Sequence, residues 1–226
     1  KPAGGLPPVS AGRLATDSRR RRKSGVPEAI SFKTKPEIAL EQIDAACKAG
    51  LPRGVVLMDA GYGCNTKLRA AISALGLRYV AGILPNTSVW APGTGPLPPK
   101  KWSGNGRPPK LIRRDGKHRP ISVKGLALGL PKRAWRTITW REGASGELSS
   151  RFARVRVRVA HRDYNLTDSR SEEWLLIAWP KAEDEPTKYW LYGYPMSTSA
   201  SRTSCSAEKA LVARPFRLRP NSQLNS

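Results

Sequence analysis

The amino-acid sequence predicts an α/β protein in which a parallel strand–helix–strand unit is joined to an antiparallel, β-rich segment. Three observations predict it. The apolar run Val55-Val56-Leu57-Met58 ends on Asp59 and a glycine-rich turn, Gly61-Tyr62-Gly63. A helical stripe and a second short apolar run follow directly. Farther on, Arg154-Val155-Arg156-Val157-Arg158-Val159 alternates with a strict period of two, among other short apolar runs separated by turn residues.

Residues 1–29 are rich in Pro, Gly, Ser and Arg and have no apolar period, so they are expected to form a disordered basic arm. The run Arg19-Arg20-Arg21-Arg22-Lys23 reads either as a grip on phosphates or as a solvated charge block. Order is expected from residue 30, with Ser31-Phe32-Lys33 as a short extended piece. Thr34 then caps a helix. Pro36 suits its first turn, and Glu37 stands at capping-box spacing. Ala39, Ile43, Ala46 and Cys47 form its apolar face, and Gly50 and Pro52 stop it. Gly54 to Met58 reads as a buried strand that carries Asp59 to the rim of a sheet, where α/β folds place their chemistry. Asn65 or Thr66 caps the next helix, whose stripe is Leu68, Ala71, Ile72 and Leu75. Gly76 ends it, and Arg78 to Ile83 is a second, parallel strand. Residues 30–85 make this core piece.

Residues 86–195 change character. Ala91 to Pro120 reads as a long, partly ordered loop rich in Pro, Gly, Lys and Arg. Four strands follow, at Ala134–Arg141, Arg151–His161, Glu173–Trp179 and Lys188–Tyr194. Turns are expected at Glu142–Gly146 and at Asp163–Ser169, giving an antiparallel meander. Residues 196–226 are polar and broken by Pro215 and Pro220, and are expected to be a disordered tail.

Composition narrows the function. The chain has 226 residues, with 40 Lys and Arg against 17 Asp and Glu, a formal charge of +23. That excess argues for a polyanionic partner, because basic side chains release counterions when they bind DNA or RNA. Cys47, Cys64 and Cys205 are scattered and odd in number, which implies no disulfide framework and fits a reducing cytoplasm. The lack of a CxxC pair, with only His118 and His161 present, argues against a structural zinc site. No apolar stretch is long enough to span a membrane, and no P-loop or GxGxxG is present.

Asp59 is the candidate catalytic and metal-ligating residue. A carboxylate at a strand end can hold Mg²⁺ or Mn²⁺, which prefer oxygen ligands. It can equally cap the turn that follows it. Arg154, Arg156 and Arg158 lie opposite the valines and can track a phosphate backbone or simply face water. Lys100, Lys101, Arg113 and Arg114, around Trp102, form a basic loop suited to nucleic acid or a plain surface loop. The tryptophans of the meander, Trp135, Trp140, Trp174, Trp179 and Trp190, read as sheet-packing residues.

Lys35-Pro36-Glu37-Ile38-Ala39-Leu40-Glu41, the stretch Gly54 to Gly63, and Leu75 to Ile83 together resemble the DDE transposases of bacterial insertion sequences, in the branch named after insertion sequence seven-hundred-one. Trp174 to Pro180 and Pro186 to Leu191 extend the likeness, which covers roughly Arg20 to Pro195. The resemblance implies a partial RNase-H-like core interrupted by a β insertion. It also implies an enzyme that cuts and joins DNA with Mg²⁺ or Mn²⁺ held by three acids. Its partners would be transposon ends and target DNA, with a homodimer in the intact family and a place at the bacterial nucleoid. Asp59 matches the second acid. No strand-borne Asp precedes Ser31, where Asp17 sits in the basic stretch, and Asp44 lies on the capped helix. Glu208, the only glutamate past Glu185, does not match the surroundings of the third acid. The sequence therefore reads as a truncated or frame-shifted fragment, inactive alone. The rival reading is a non-enzymatic, basic DNA- or RNA-binding protein in which Asp59 is structural.

Overall fold

The computed structural model describes residues 17–25, 27, 31–141 and 147–193. The chain divides into two compact units, Lys1–Arg53 and Gly54–Ser226.

The first unit holds two helices, α1 (Ser18–Lys23) and α2 (Lys35–Lys48). The basic run expected in a disordered arm is thus helical. Asp17 supplies the missing cap, its Oδ1 accepting from the amides of Arg19 and Arg20 at 3.1 Å each. The cations crowd the last turn, where the helix carbonyls favour positive charge. α2 begins as expected: Glu37 Oε2 accepts from both the amide and the hydroxyl of Thr34 at 2.7 Å. Ala39, Ile43, Ala46 and Cys47 form its half-buried face. Ser31–Lys33 forms no strand.

The second unit is built on one eight-stranded sheet. Its strands are β1 (Val55–Met58), β2 (Arg78–Gly82), β3 (Ser88–Trp90), β4 (Ile121–Ser122), β5 (Trp135–Arg141), β6 (Glu147–Val159), β7 (Glu173–Pro180) and β8 (Lys188–Gly193). The order is β1-β2-β8-β7-β6-β3-β4, with β5 also paired to β6. β1 and β2 are parallel, as expected, with Val55 opposite Arg78 and Met58 opposite Ala81. Between them run a one-turn helix, α3 (Ala60–Gly63), and α4 (Thr66–Ala74). Asn65 caps α4 by accepting from the Leu68 amide at 3.0 Å, and Leu68 and Ile72 are buried. Gly76, at φ 72°, takes the left-handed conformation that closes the helix.

The meander is antiparallel throughout, β5 to β6, β6 to β7 and β7 to β8. β8 then pairs antiparallel with β2, Val80 opposite Tyr192, which fuses the parallel pair and the meander into one sheet. β6 is long enough to change neighbours. On one edge it meets β5 along Glu147–Ala153 and then β3 at Arg158 and Val159. Val157 and Val159 are buried with Leu175, Ile177 and Leu191, while Arg154 and Arg156 stay exposed. The period of two therefore places the valines in the core, as expected.

One expectation is corrected. β1 is not a buried strand: among the described residues it is the sheet's edge, paired with β2 alone, and Leu57 is 54 % exposed. Parallel strands read as apolar runs because both faces are normally covered, and here the apolar run outlasts the cover. Residues 91–120 are irregular, as expected, but sequence reading missed the short elements on either side of them. β3 precedes the irregular stretch, β4 and α5 (Val123–Leu128) follow it, and Val89, Trp90, Ile112, Val123 and Leu126 are buried. These pieces are too short for periodicity to reveal, although Ser122 caps α5 through the Gly125 amide at 3.0 Å. Among the described residues no helix is long and apolar enough to cross a membrane. The turn expected at 142–146, residues 1–16 of the arm and the tail 196–226 lie outside the described residues.

Candidate active site

Asp59 stands where β1 ends, in extended conformation, as the N-cap of α3. Its Oδ1 accepts from the Tyr62 amide at 3.2 Å. The residue is exposed, and Oδ2 makes no hydrogen bond among the described residues. One oxygen thus organises the turn while the other is uncommitted among the described residues. The glycines of the motif are explained by close approach. A β-carbon on Gly61 would lie 3.2 Å from Asp59 Oδ1 and press on the carboxylate. A β-carbon on Gly63 would run into the carbonyl oxygen of Gly82. The turn therefore sits directly on the end of β2.

A buried clamp holds the turn from the other side. Arg69, only 2 % exposed, donates from Nη1 to the Gly63 carbonyl at 2.5 Å. Its Nε and Nη2 donate to the two carboxylate oxygens of Glu173, at 2.9 and 3.1 Å. The Tyr79 hydroxyl donates to Glu173 Oε2 at 2.5 Å. Burial, reinforced by the Glu173 carboxylate, pushes the Tyr79 hydroxyl far above its usual range, so it stays a donor at ordinary pH. α4, β2 and the start of β7 are tied together behind the Asp59 turn. The sequence does not reveal this clamp, because Arg69 and Glu173 stand 104 positions apart and no local pattern links them.

The fit to a divalent ion is incomplete. Asp59 offers a hard oxygen ligand, but among the described residues no three His, Cys, Asp or Glu side chains stand together as a metal-binding group. Two-ion phosphodiester chemistry needs more than one carboxylate. Asp17 caps α1, and Asp44 is paired with Lys48 at 2.6 Å on α2. Glu208 lies outside the described residues.

The cationic residues fall into two groups. Arg154 and Arg156 lie over the Trp174 ring, at 4.3 and 5.0 Å from its centroid, and Trp174 stacks on Tyr192 at 6.2 Å. Arg156 and Arg158 share Glu172, at 3.3 and 3.5 Å. This face is on β6, four strands from β1 in the sheet order, about 19 Å across at ordinary strand spacing. The second group is the loop after β3. Lys100 and Lys101 are exposed on it. Arg113 donates to the Pro98 carbonyl at 3.2 Å, and Arg114 is bound to the buried Asp163. Trp135 and Trp179 meet edge to face at 5.3 Å, and Trp174, Trp179 and Trp190 are half-buried in the sheet. The side chain of Trp140 lies outside the described residues.

The sequence model of a family described as DDE superfamily endonuclease matches residues 8–147, more than half of the chain. The match takes in Asp59, its turn and the whole parallel pair. No curated protein matches the chain significantly.

Proposed function

The chain belongs to the DDE superfamily endonuclease family, and from that premise we propose that it is a transposase fragment of the insertion-sequence branch named above, with Asp59 as the second of three metal-binding acids. The observation that carries this reading is the setting of Asp59. It is a single exposed carboxylate at the end of a strand, on a turn whose glycines and buried clamp leave it little freedom. Among the described residues β1 also has an unpaired side, and Val55 and Leu57 are exposed; that edge would accept a further strand bringing a second acid beside Asp59. In this reading the first and third acids are supplied outside residues 31–193. DNA is the partner, as transposon end and as target, and the intact enzyme works as a dimer at the bacterial nucleoid. Arg154, Arg156, Lys100 and Lys101 are the proposed phosphate contacts. Mg²⁺ or Mn²⁺ would supply the phosphodiester chemistry, and no cleavage step is assigned to this chain alone.

The rival is a DNA-binding protein without catalysis, favoured by the cap that Asp59 makes to Tyr62. One experiment separates them. The DNA flanking the gene is sequenced and translated in every frame, and the purified chain is assayed for nicking with Mg²⁺ or Mn²⁺. A strand-borne Asp upstream and a helix-borne Glu downstream, with no nicking by the isolated chain, support the fragment. Finding neither acid supports the rival. Asp59-dependent nicking by the isolated chain would overturn the claim of inactivity.

A further inference from the structure

The loop between β3 and β4 is a stiff projection. Its two legs carry Pro98-Pro99 and Pro108-Pro109, which restrict the backbone on both sides. Its tip turns at Gly104 and Gly106, with φ of 93° and 73°, values that glycine adopts without strain. Its neck is pinched by an antiparallel bridge in which the amides and carbonyls of Leu97 and Arg113 exchange hydrogen bonds at 2.9 Å. Below the neck, the buried Asp163 accepts from Trp90 Nε1 at 2.6 Å and from Arg114 Nε at 3.1 Å. Arg114 also donates to the Ala160 carbonyl at 2.7 Å. Arg114 is therefore an anchor of the loop and not one of its free cations.

What the anchor holds out is chemically specific. Trp102 is 55 % exposed, beside Lys100 and Lys101, and its Nε1 donates to the Gly106 carbonyl at 3.1 Å, which fixes the ring. No Asp or Glu occurs anywhere from Ala60 to Arg114. The ring closes the tip and still keeps a large apolar surface in water, on a segment of the chain that carries cations and no acids. Flat faces that meet such a ring and carry negative charge are those of nucleic-acid bases on their phosphate backbone. A paired base keeps its faces inside the duplex, whereas an unpaired one presents them.

We infer that the tip is a binding site for unpaired bases of single-stranded DNA, with Trp102 stacking on a base and Lys100 and Lys101 on the flanking phosphates. The inference rests on the reading of the chain as a DNA-acting protein, but it does not depend on Asp59. The test is fluorescence anisotropy of the full chain with a labelled 20-nucleotide single strand and with the same sequence as duplex. Trp102→Ala is expected to weaken single-strand binding about tenfold, to leave duplex binding within about twofold, and to keep the thermal midpoint. Trp102→Phe should recover most of the loss. Lys100→Gln with Lys101→Gln should weaken both forms and flatten the salt dependence by about two phosphate contacts. Unchanged single-strand binding in Trp102→Ala, or equal weakening of both forms, overturns the inference. Anisotropy without divalent ions reads this site alone and the nicking assay with Mg²⁺ or Mn²⁺ reads the Asp59 proposal, so either can fail while the other stands.

Discussion

At the scale of single residues, the Asp59 turn is held by what is missing from its glycines. Replacing Gly63 by Ala would push a methyl group into the Gly82 backbone, which cannot swing aside as a side chain could. We expect Gly63→Ala to cost about 2 kcal/mol, read as a lower midpoint in urea denaturation. Gly61→Ala should be milder in stability, because the methyl meets the Asp59 carboxylate itself, and its effect should show in the position of that carboxylate. A second residue-scale expectation concerns pH. The side-chain hydrogen bond from His118, helped by the His118 and Lys117 amides, holds Asp115 down at about 2. A carboxyl depressed on folding stabilises the native state above its unfolded value of 3.8 and ceases to do so as pH falls through about 2. An NMR titration of Asp115 should therefore find its midpoint near the lower value. A midpoint at the unfolded value would show that the turn is not formed in solution.

At the scale of elements, the decisive bond is the one between α4 and β7. Arg69 and Glu173 are 2 % and 12 % exposed, so neither charge can fall back on water if the other is removed. Glu173→Leu alone should cost about 3–5 kcal/mol, and Arg69→Met with Glu173→Leu less than the two single changes together, because no lone charge remains although the Tyr79 hydroxyl and Gly63 carbonyl lose their partners. A double-mutant cycle by urea denaturation measures the coupling. The same bond marks where sequence reading stops. Helix starts were legible, since Thr34, Glu37 and Asn65 act on neighbours within one turn. The alternation Arg154 to Val159 was legible because one strand carries it whole. The Arg69–Glu173 pair joins residues 104 positions apart, and no local pattern encodes such a partner. β3 and β4 escaped because three residues and two are below any period. The cover on β1 was misjudged for a related reason: an apolar run reports what a strand is fit to bury, and only the topology says whether anything lies against it.

At the scale of the whole molecule, the charge of +23 is the dominant fact. A chain of this charge that contacts phosphates at several points should lose about a thousandfold in duplex affinity between 50 and 200 mM salt. Anisotropy titrations across that range check it, and a flat response would leave the charge without its expected partner. The sequence announced this property most directly, because net charge needs no fold to be read. The position of Asp59, at the end of an apolar run before a glycine turn, was legible too. Its supports were not, because they are backbone contacts and a distant ion pair.

The change of neighbours along β6 has a mechanical consequence. From Arg154 to Val157 the strand is tied to β7 on one side, while the other side falls between the end of β5 and the start of β3. The ladder is thinnest there, and amide exchange should find its seam in those residues. On one side of the seam lie β3, β4 and the anchored loop, and on the other the strands that carry the Asp59 turn. The part that would hold a nucleic acid and the part that presents a carboxylate can then open on separate clocks.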